Sequence, residues 1–114
     1  MKQVIIVRKD LNMRRGKEIA QGAHASMKAV LENIEHPYVI EWLEGKFKKI
    51  AVSVDTENEL MDLYNSATSA HLPVSLVLDA GLTEFNNIPT YTAVAIGPGP
   101  DDEINPITGE LPLR

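Results

Sequence analysis

The fold predicted for this chain is α/β: a single-domain three-layer sandwich, with a four-stranded mixed, largely parallel sheet and helices on both faces. Three observations predict it. Four short apolar runs alternate with helical stretches along the chain. The runs are continuous, as expected of strands covered on both faces. A length of 114 residues makes one domain, residues 1–114, large enough to bury roughly two-thirds of the surface its unfolded chain exposes.

The elements follow in order. Val4-Ile5-Ile6-Val7 is the first strand. A long helix is expected from about Gly16 to Glu35. A short one then starts at Pro37, which suits a first helical position, and stops at Gly45. Ile50 to Val54 is the second strand. Thr56 and Glu59 form a capping-box pattern before the stripe Leu60, Leu63, Tyr64 and Ala67, which Pro73 closes. Val74 to Leu78 and Thr92 to Ile96 are the last two strands. The 13 residues between them, "DAGLTEFNNIPTY", carry no helical pattern, and loops of that length in compact domains are usually functional. From Gly97 onward, "GPGPDDEINPITGELPLR" is rich in Pro and Gly and reads as ordered coil.

Composition narrows the function classes. The absence of cysteine excludes disulfides and thiolate metal sites and suits a reducing compartment. The apolar run near the start is too short for a signal-peptide core or a membrane span, so a cytoplasmic protein is expected. The net charge of −5 argues against an overall nucleic-acid coat. Its distribution is uneven: residues 1–28 hold seven cations and two acids, the remainder four cations and fourteen acids. Such a dipolar chain can present one basic face to a polyanion.

The long helix carries three faces. At about 100° per residue, Lys17, Gln21, His24 and Lys28 fall in one narrow stripe. Ile19, Ala23, Met27, Val30 and Ile34 make an apolar face, expected to lie on the sheet. Gly22, Ala25, Ser26 and Ala29 make a third side, whose small residues imply close approach of another helix or a second subunit. A lysine or histidine on a helix is ordinarily solvated or structural. Here position adds weight: Arg14, Arg15 and Lys17 open the helix just after a strand's carboxyl end. Cations there oppose the helix dipole unless an anion is bound, so together with free backbone N–H groups they read as a phosphate-facing site. A lone Gly-Lys is not a Walker loop, which counts against a nucleotide-binding βαβ enzyme.

The second constellation, "DAGLTE", follows directly on the third strand. Asp-Ala-Gly is ordinary turn chemistry. Yet ligands in open α/β sheets gather beyond the carboxyl ends of strands. If the first and third strands are parallel, Asp79 and Thr83 reach the rim that holds Lys17. The three histidines, with no cysteine, do not form a zinc pattern. No metal and no cofactor are expected.

Together these stretches resemble one family. "VRKDLNMRRGKEIAQGAHA" is similar to the amino-terminal signature of the type II peptidyl-tRNA hydrolases, R-x-D-L-x-M-x-x-G-K-x-A-A-Q-x-x-H-A. "DAGLTE", "TYTAVAIGPGP" and "ITGELPL" resemble its later signatures, in the right order over nearly the whole chain. The resemblance implies a small, usually dimeric α/β hydrolase of the ester joining a peptide to the 3′-terminal ribose of tRNA. It implies functional roles for Lys17, Asp79 and Thr83, with Gln21 and His24 matching further signature positions. Two departures stand out. Ile19 replaces the first alanine of A-A-Q, and Pro89-Thr90 stands where Gly-Thr is usual. Proline cannot take the positive φ that glycine permits, so the loop before the last strand is expected to differ.

Ester hydrolysis needs an aimed water, a proton acceptor, and positive charge at the developing oxyanion. The expected assignment makes Asp79 the water-orienting base and Lys17 the stabiliser of the oxyanion or the departing ribose oxygen. Thr83 would bond the carbonyl or the water, and Gln21 and His24 would position them. A lysine beside Asp79 makes it a weaker base, so His24 as the base stays open. Arg8, Lys9, Arg14, Arg15 and Lys28 are the expected tRNA phosphate contacts. The competing class is a non-catalytic RNA- or nucleotide-phosphate-binding module.

Overall fold

The computed structural model describes residues 1–81 and 84–114. Its elements are β1 (Lys2–Arg8), a 3-10 turn (Lys9–Leu11), α1 (Arg15–Leu31), α2 (Pro37–Glu44), β2 (Lys49–Val54), α3 (Glu57–Ser69), β3 (Val74–Asp79), β4 (Thr90–Gly99) and α4 (Asp101–Thr108). The strands form one sheet in the order β2-β1-β4-β3. β1 and β2 pair in parallel, while β4 lies antiparallel to both β1 and β3. So β1, β2 and β3 run the same way, as expected. The reversed strand is inserted between two of them, which leaves one hydrogen-bonded pair parallel. The carboxyl ends of β1 and β3 therefore share a rim, on either side of the start of β4.

Residue alternation sorts the core onto two faces. Val4 and Ile6, Val52 and Val54, and Val94 and Ile96 pack with Leu60 and Ala67 of α3 and Ile104 of α4. Val7, Val77, Ala93 and Ala95 meet Ala25 and Ala29 of α1 on the other face. Helices thus cover both faces of the sheet. Thr56 caps α3 as the sequence indicated, and His36 adds a cap to α2. Thr56 Oγ1 accepts from the Glu59 N–H at 3.1 Å, and His36 Nδ1 accepts from the Tyr38 N–H at 3.0 Å ahead of Pro37.

Two expectations are corrected. First, α1 is turned relative to the predicted orientation. Its buried residues are Gln21, Gly22, Ala25 and Ala29, whereas Ile19 and Met27 are 66% and 65% exposed. The close-approaching backbone that the small residues call for is the sheet itself. A Cβ on Gly22 would stand 3.4 Å from Ile5 Cγ2, and Ser75 Oγ donates to the Ala25 carbonyl at 2.6 Å. The alanines of β4 match the alanines of α1, so the helix seats low and its large side chains overhang.

Second, the carboxyl-terminal stretch is not coil. β4 continues to Gly99, and Asp101–Thr108 is helical behind an extended Pro100. Asp101, Asp102 and Glu103 lie in the first turn, where they favour the helix dipole. Beyond it the chain turns back along the free edge of β2. Ser53 donates to the Pro112 carbonyl, the Arg114 N–H to Ala51, and Leu113 bridges Val52. That covers an edge otherwise open to strand addition.

Candidate active site

The rim shared by β1 and β3 is where the chemistry gathers. β1 ends at Arg8, and the 3-10 turn closes at Asn12 with φ 51°, a conformation asparagine tolerates. The chain then enters α1, whose first turn carries Lys17. β3 ends at Asp79. The two meet across the layers, with Lys17 Nζ 2.8 Å from Asp79 Oδ1 and both side chains mostly buried, at 17% and 14% exposed. The Gly81 N–H donates to Asp79 Oδ2 at 2.8 Å. That turn needs glycine: φ is +81°, and a Cβ would stand 2.2 Å from the Ile88 carbonyl oxygen.

Asp79 is consequently held well into the ionised form. Its pKa is lowered, chiefly by the Lys17 hydrogen bond, against the opposing effect of burial. The Gly81 N–H and the charges of Lys17 and His24 add to the lowering. A carboxylate with one oxygen on an ammonium and the other on an amide is a good anchor and a poor proton acceptor. His24, farther along the same stripe of α1, is exposed. Gln21 is buried between α1 and β4, where Thr92 Oγ1 donates to its Oε1 at 2.5 Å. The ring of Phe85 lies 5.8 Å from Lys17 Nζ, within cation–π range. Thr83 falls outside the described residues.

The five expected phosphate contacts have different settings. Lys9 and Arg15 are exposed. Arg8 is committed: its guanidinium grips Asp10 in bidentate fashion at 3.1 and 2.7 Å, donates to the Tyr91 carbonyl at 3.1 Å, and sits 3.6 Å from Glu57. Lys28 donates to the Leu76 carbonyl at 2.8 Å, off the side of β3. Arg14 is exposed and faces Glu84. The Glu84 carboxylate accepts from the Arg14 backbone N–H at 3.2 Å and lies 3.7 Å from its Nε. The place expected for an external anion at the entry to α1 is thus held by a carboxylate of the protein itself.

Three participants went unremarked in the sequence: Glu84, Phe85 and Thr92. An acid directly after "DAGLT", opposite a run of cations, was the available signal for Glu84. For Thr92 it was a hydroxyl inside an otherwise apolar strand. Among the described residues, no three His, Cys, Asp or Glu side chains gather as a metal would require, and no helix is long and apolar enough to cross a membrane.

Over residues 1–114 the chain matches the family described as peptidyl-tRNA hydrolase PTH2. It belongs to that family. Similar proteins named peptidyl-tRNA hydrolase come from Methanocaldococcus jannaschii, 47% identical over 99% of both chains, and Methanopyrus kandleri, 45% identical over 98% of this chain and 97% of that one. A solved Agrobacterium structure, titled as a protein of unknown function, superposes with a TM-score of 0.65 at 12% identity, covering 99% of this chain and 96% of that one. At that identity it speaks for the fold alone.

Proposed function

We propose that this chain is a peptidyl-tRNA hydrolase, cleaving the ester between a peptide, or N-blocked amino acid, and the 3′-terminal ribose of tRNA to release free tRNA. Membership of the family and relatives of that name near 45% identity over almost the whole chain support the reaction. The observation that carries the residue assignment is the 2.8 Å contact between Lys17 and Asp79, which joins the two signature stretches at one rim.

Lys17 supplies positive charge to the oxyanion or the departing ribose oxygen, in a partly dry setting where such charge counts for more than in water. Asp79 holds that ammonium in place. Because both Asp79 oxygens are engaged and its pKa is lowered, the carboxylate orients rather than deprotonates. This favours His24 as the group that takes the proton from water. Gln21, its carbonyl oxygen held by Thr92, helps to position the reacting groups, and Thr83 completes the set. No residue of the assignment acts as a covalent nucleophile. Lys9, Arg14 and Arg15 meet tRNA phosphates, and Arg8 and Lys28 contribute at the margins of that face.

The working form is a homodimer. What supports it is the overhanging side of α1. Ile19, Met27 and Leu31, each more than 60% exposed, flank an apolar groove of about 660 Å³ floored by Ile5 and Val7 and closed by Leu43 and Phe47. Exposed apolar surface of this kind marks an interface. The compartment is the cytoplasm, where peptidyl-tRNA arises.

The test is release of free tRNA from a purified peptidyl-tRNA under multiple turnover, with Lys17→Ala alongside. Turnover by the native chain and its loss in the variant support the assignment. Tight tRNA binding with no turnover by either would favour the binding-module reading.

A further inference from the structure

We propose that Glu84 sets the affinity of the basic rim for a nucleic-acid phosphodiester by competing for Arg14. The inference rests on the reading of this rim as the place where tRNA phosphates dock.

The rim cations are matched to carboxylates with unequal firmness. Arg8 is 11% exposed and locked to Asp10 at 2.7 Å. Lys17 is 17% exposed and locked to Asp79 at 2.8 Å. The Arg14–Glu84 pair differs in both respects: it is looser, at 3.7 Å, and its arginine side chain is 90% exposed while the acid is only 18% exposed. The acid is therefore the fixed member. It is tied to the main chain by the Arg14 N–H at 3.2 Å, whereas the guanidinium is free to turn away. Its neighbour Phe85 has its ring 5.8 Å from Lys17 Nζ, so two consecutive residues face two of the three cations at the entry to α1, Arg14 and Lys17.

A solvated pair of this kind is weak. A phosphate offers arginine two charge-assisted hydrogen bonds in matched geometry. A phosphodiester thus takes the guanidinium from Glu84, but the carboxylate stays on the backbone N–H. There it repels the arriving phosphate and leaves part of the binding gain unrealised. Lys9 and Arg15, for which no carboxylate lies within ion-pair distance among the described residues, carry no such handicap.

The experiment uses the full chain with deacylated tRNA as the probe. Binding is followed by fluorescence anisotropy across a salt series for the native protein, Glu84→Gln, Arg14→Ala and the double variant. KM and kcat on peptidyl-tRNA are measured in parallel. Glutamine keeps the shape and the acceptor oxygen but removes the charge. Glu84→Gln is expected to tighten tRNA by about three- to tenfold at low salt. It should also steepen the log K against log salt slope by up to about 0.7 to 0.9, because one negative charge no longer offsets the cations of the rim. The gain appears in KM, and Arg14→Ala in the same chain abolishes it.

Unchanged or weaker binding by Glu84→Gln overturns the proposal, as does a gain that survives Arg14→Ala. A fall in kcat with a lowered Tm and no gain in affinity would make Glu84 a helix cap only, and also overturns it. Lys9→Ala and Arg15→Ala separate this failure from that of the underlying reading. If they weaken binding while Glu84→Gln does nothing, the rim stands and the role of Glu84 falls. If no variant moves the affinity, both fall together.

Discussion

Replacing Asp79 by asparagine should disable the enzyme while leaving it folded. The magnitude follows from the geometry of one pair. Asp79 and Lys17 touch at 2.8 Å, with 14% and 17% of their side chains exposed. Breaking a fully buried ion pair costs about 3–5 kcal/mol, while solvated pairs are worth about 0–1 kcal/mol. The residual exposure and the neutral amide oxygen left facing Lys17 place Asp79→Asn between these limits, at about 1–2 kcal/mol. That is too little to unfold a domain of ordinary stability. Activity should suffer more. An ammonium no longer held by a carboxylate loses its aim, and single-turnover hydrolysis of peptidyl-tRNA should slow by about 10²- to 10⁴-fold. If the two side chains act as one unit, Lys17→Ala loses a similar factor and the double variant loses little beyond either single one. Losses that multiply, each variant contributing its full factor in the other's background, would refute the idea that Asp79 works through Lys17. Retention of rate within tenfold by Asp79→Asn would remove Asp79 from the reaction altogether.

Other expectations follow from the same structure. Since the Asp79 pKa is lowered in the folded state, its contribution to stability is fully present above the unfolded-state value and is lost as pH falls through the depressed one. Native protein and Asp79→Asn should therefore differ in Tm at neutral pH and converge in strong acid; a gap that widens on acidification would contradict this. Ala25 is fully buried against the sheet, so Ala25→Arg should prevent stable folding, read as loss of the cooperative thermal transition. Met27→Asp, on the exposed side of the same helix, should keep the Tm within a few degrees and shift light-scattering mass from dimer to monomer; an unchanged mass would place the dimer contact elsewhere. Gly81→Ala forces a Cβ to within 2.2 Å of a backbone oxygen and should lower kcat/KM by at least tenfold through the Asp79 turn, with little change in tRNA affinity.

Much of this was legible in the residues. The four apolar runs became the four strands. The meeting of Lys17 with Asp79 followed from two local facts, Lys17 opening the helix that follows β1 and Asp79 ending β3, and needed only that β1 and β3 run the same way. What escaped did so for physical reasons. Two apolar faces compete on α1, and side-chain size points to the wrong one. Only the matching alanines of β4, a long-range fact, show that close backbone approach wins over bulk. α4 was hidden because Pro98, Pro100 and Pro106 read as breakers, although Pro100 sits just before the helix, where a proline does no harm. The clasp of Glu84 on Arg14 joins residues 70 positions apart, and the contacts of Arg8 with Tyr91 and Glu57 likewise depend on tertiary placement. Charge counts show how many cations the rim holds, but not which of them are already satisfied.

The most direct measurement is a crystal structure of the chain with a non-hydrolysable analogue of the substrate's end, a peptidyl amide of 3′-amino-adenosine. The carbonyl that stands for the scissile ester should lie within about 3.5 Å of Lys17 Nζ, on the β3 side of α1. An analogue seated instead in the apolar groove on the far side of that helix, with Lys17 and Asp79 still closed on each other and touching nothing else, would contradict it.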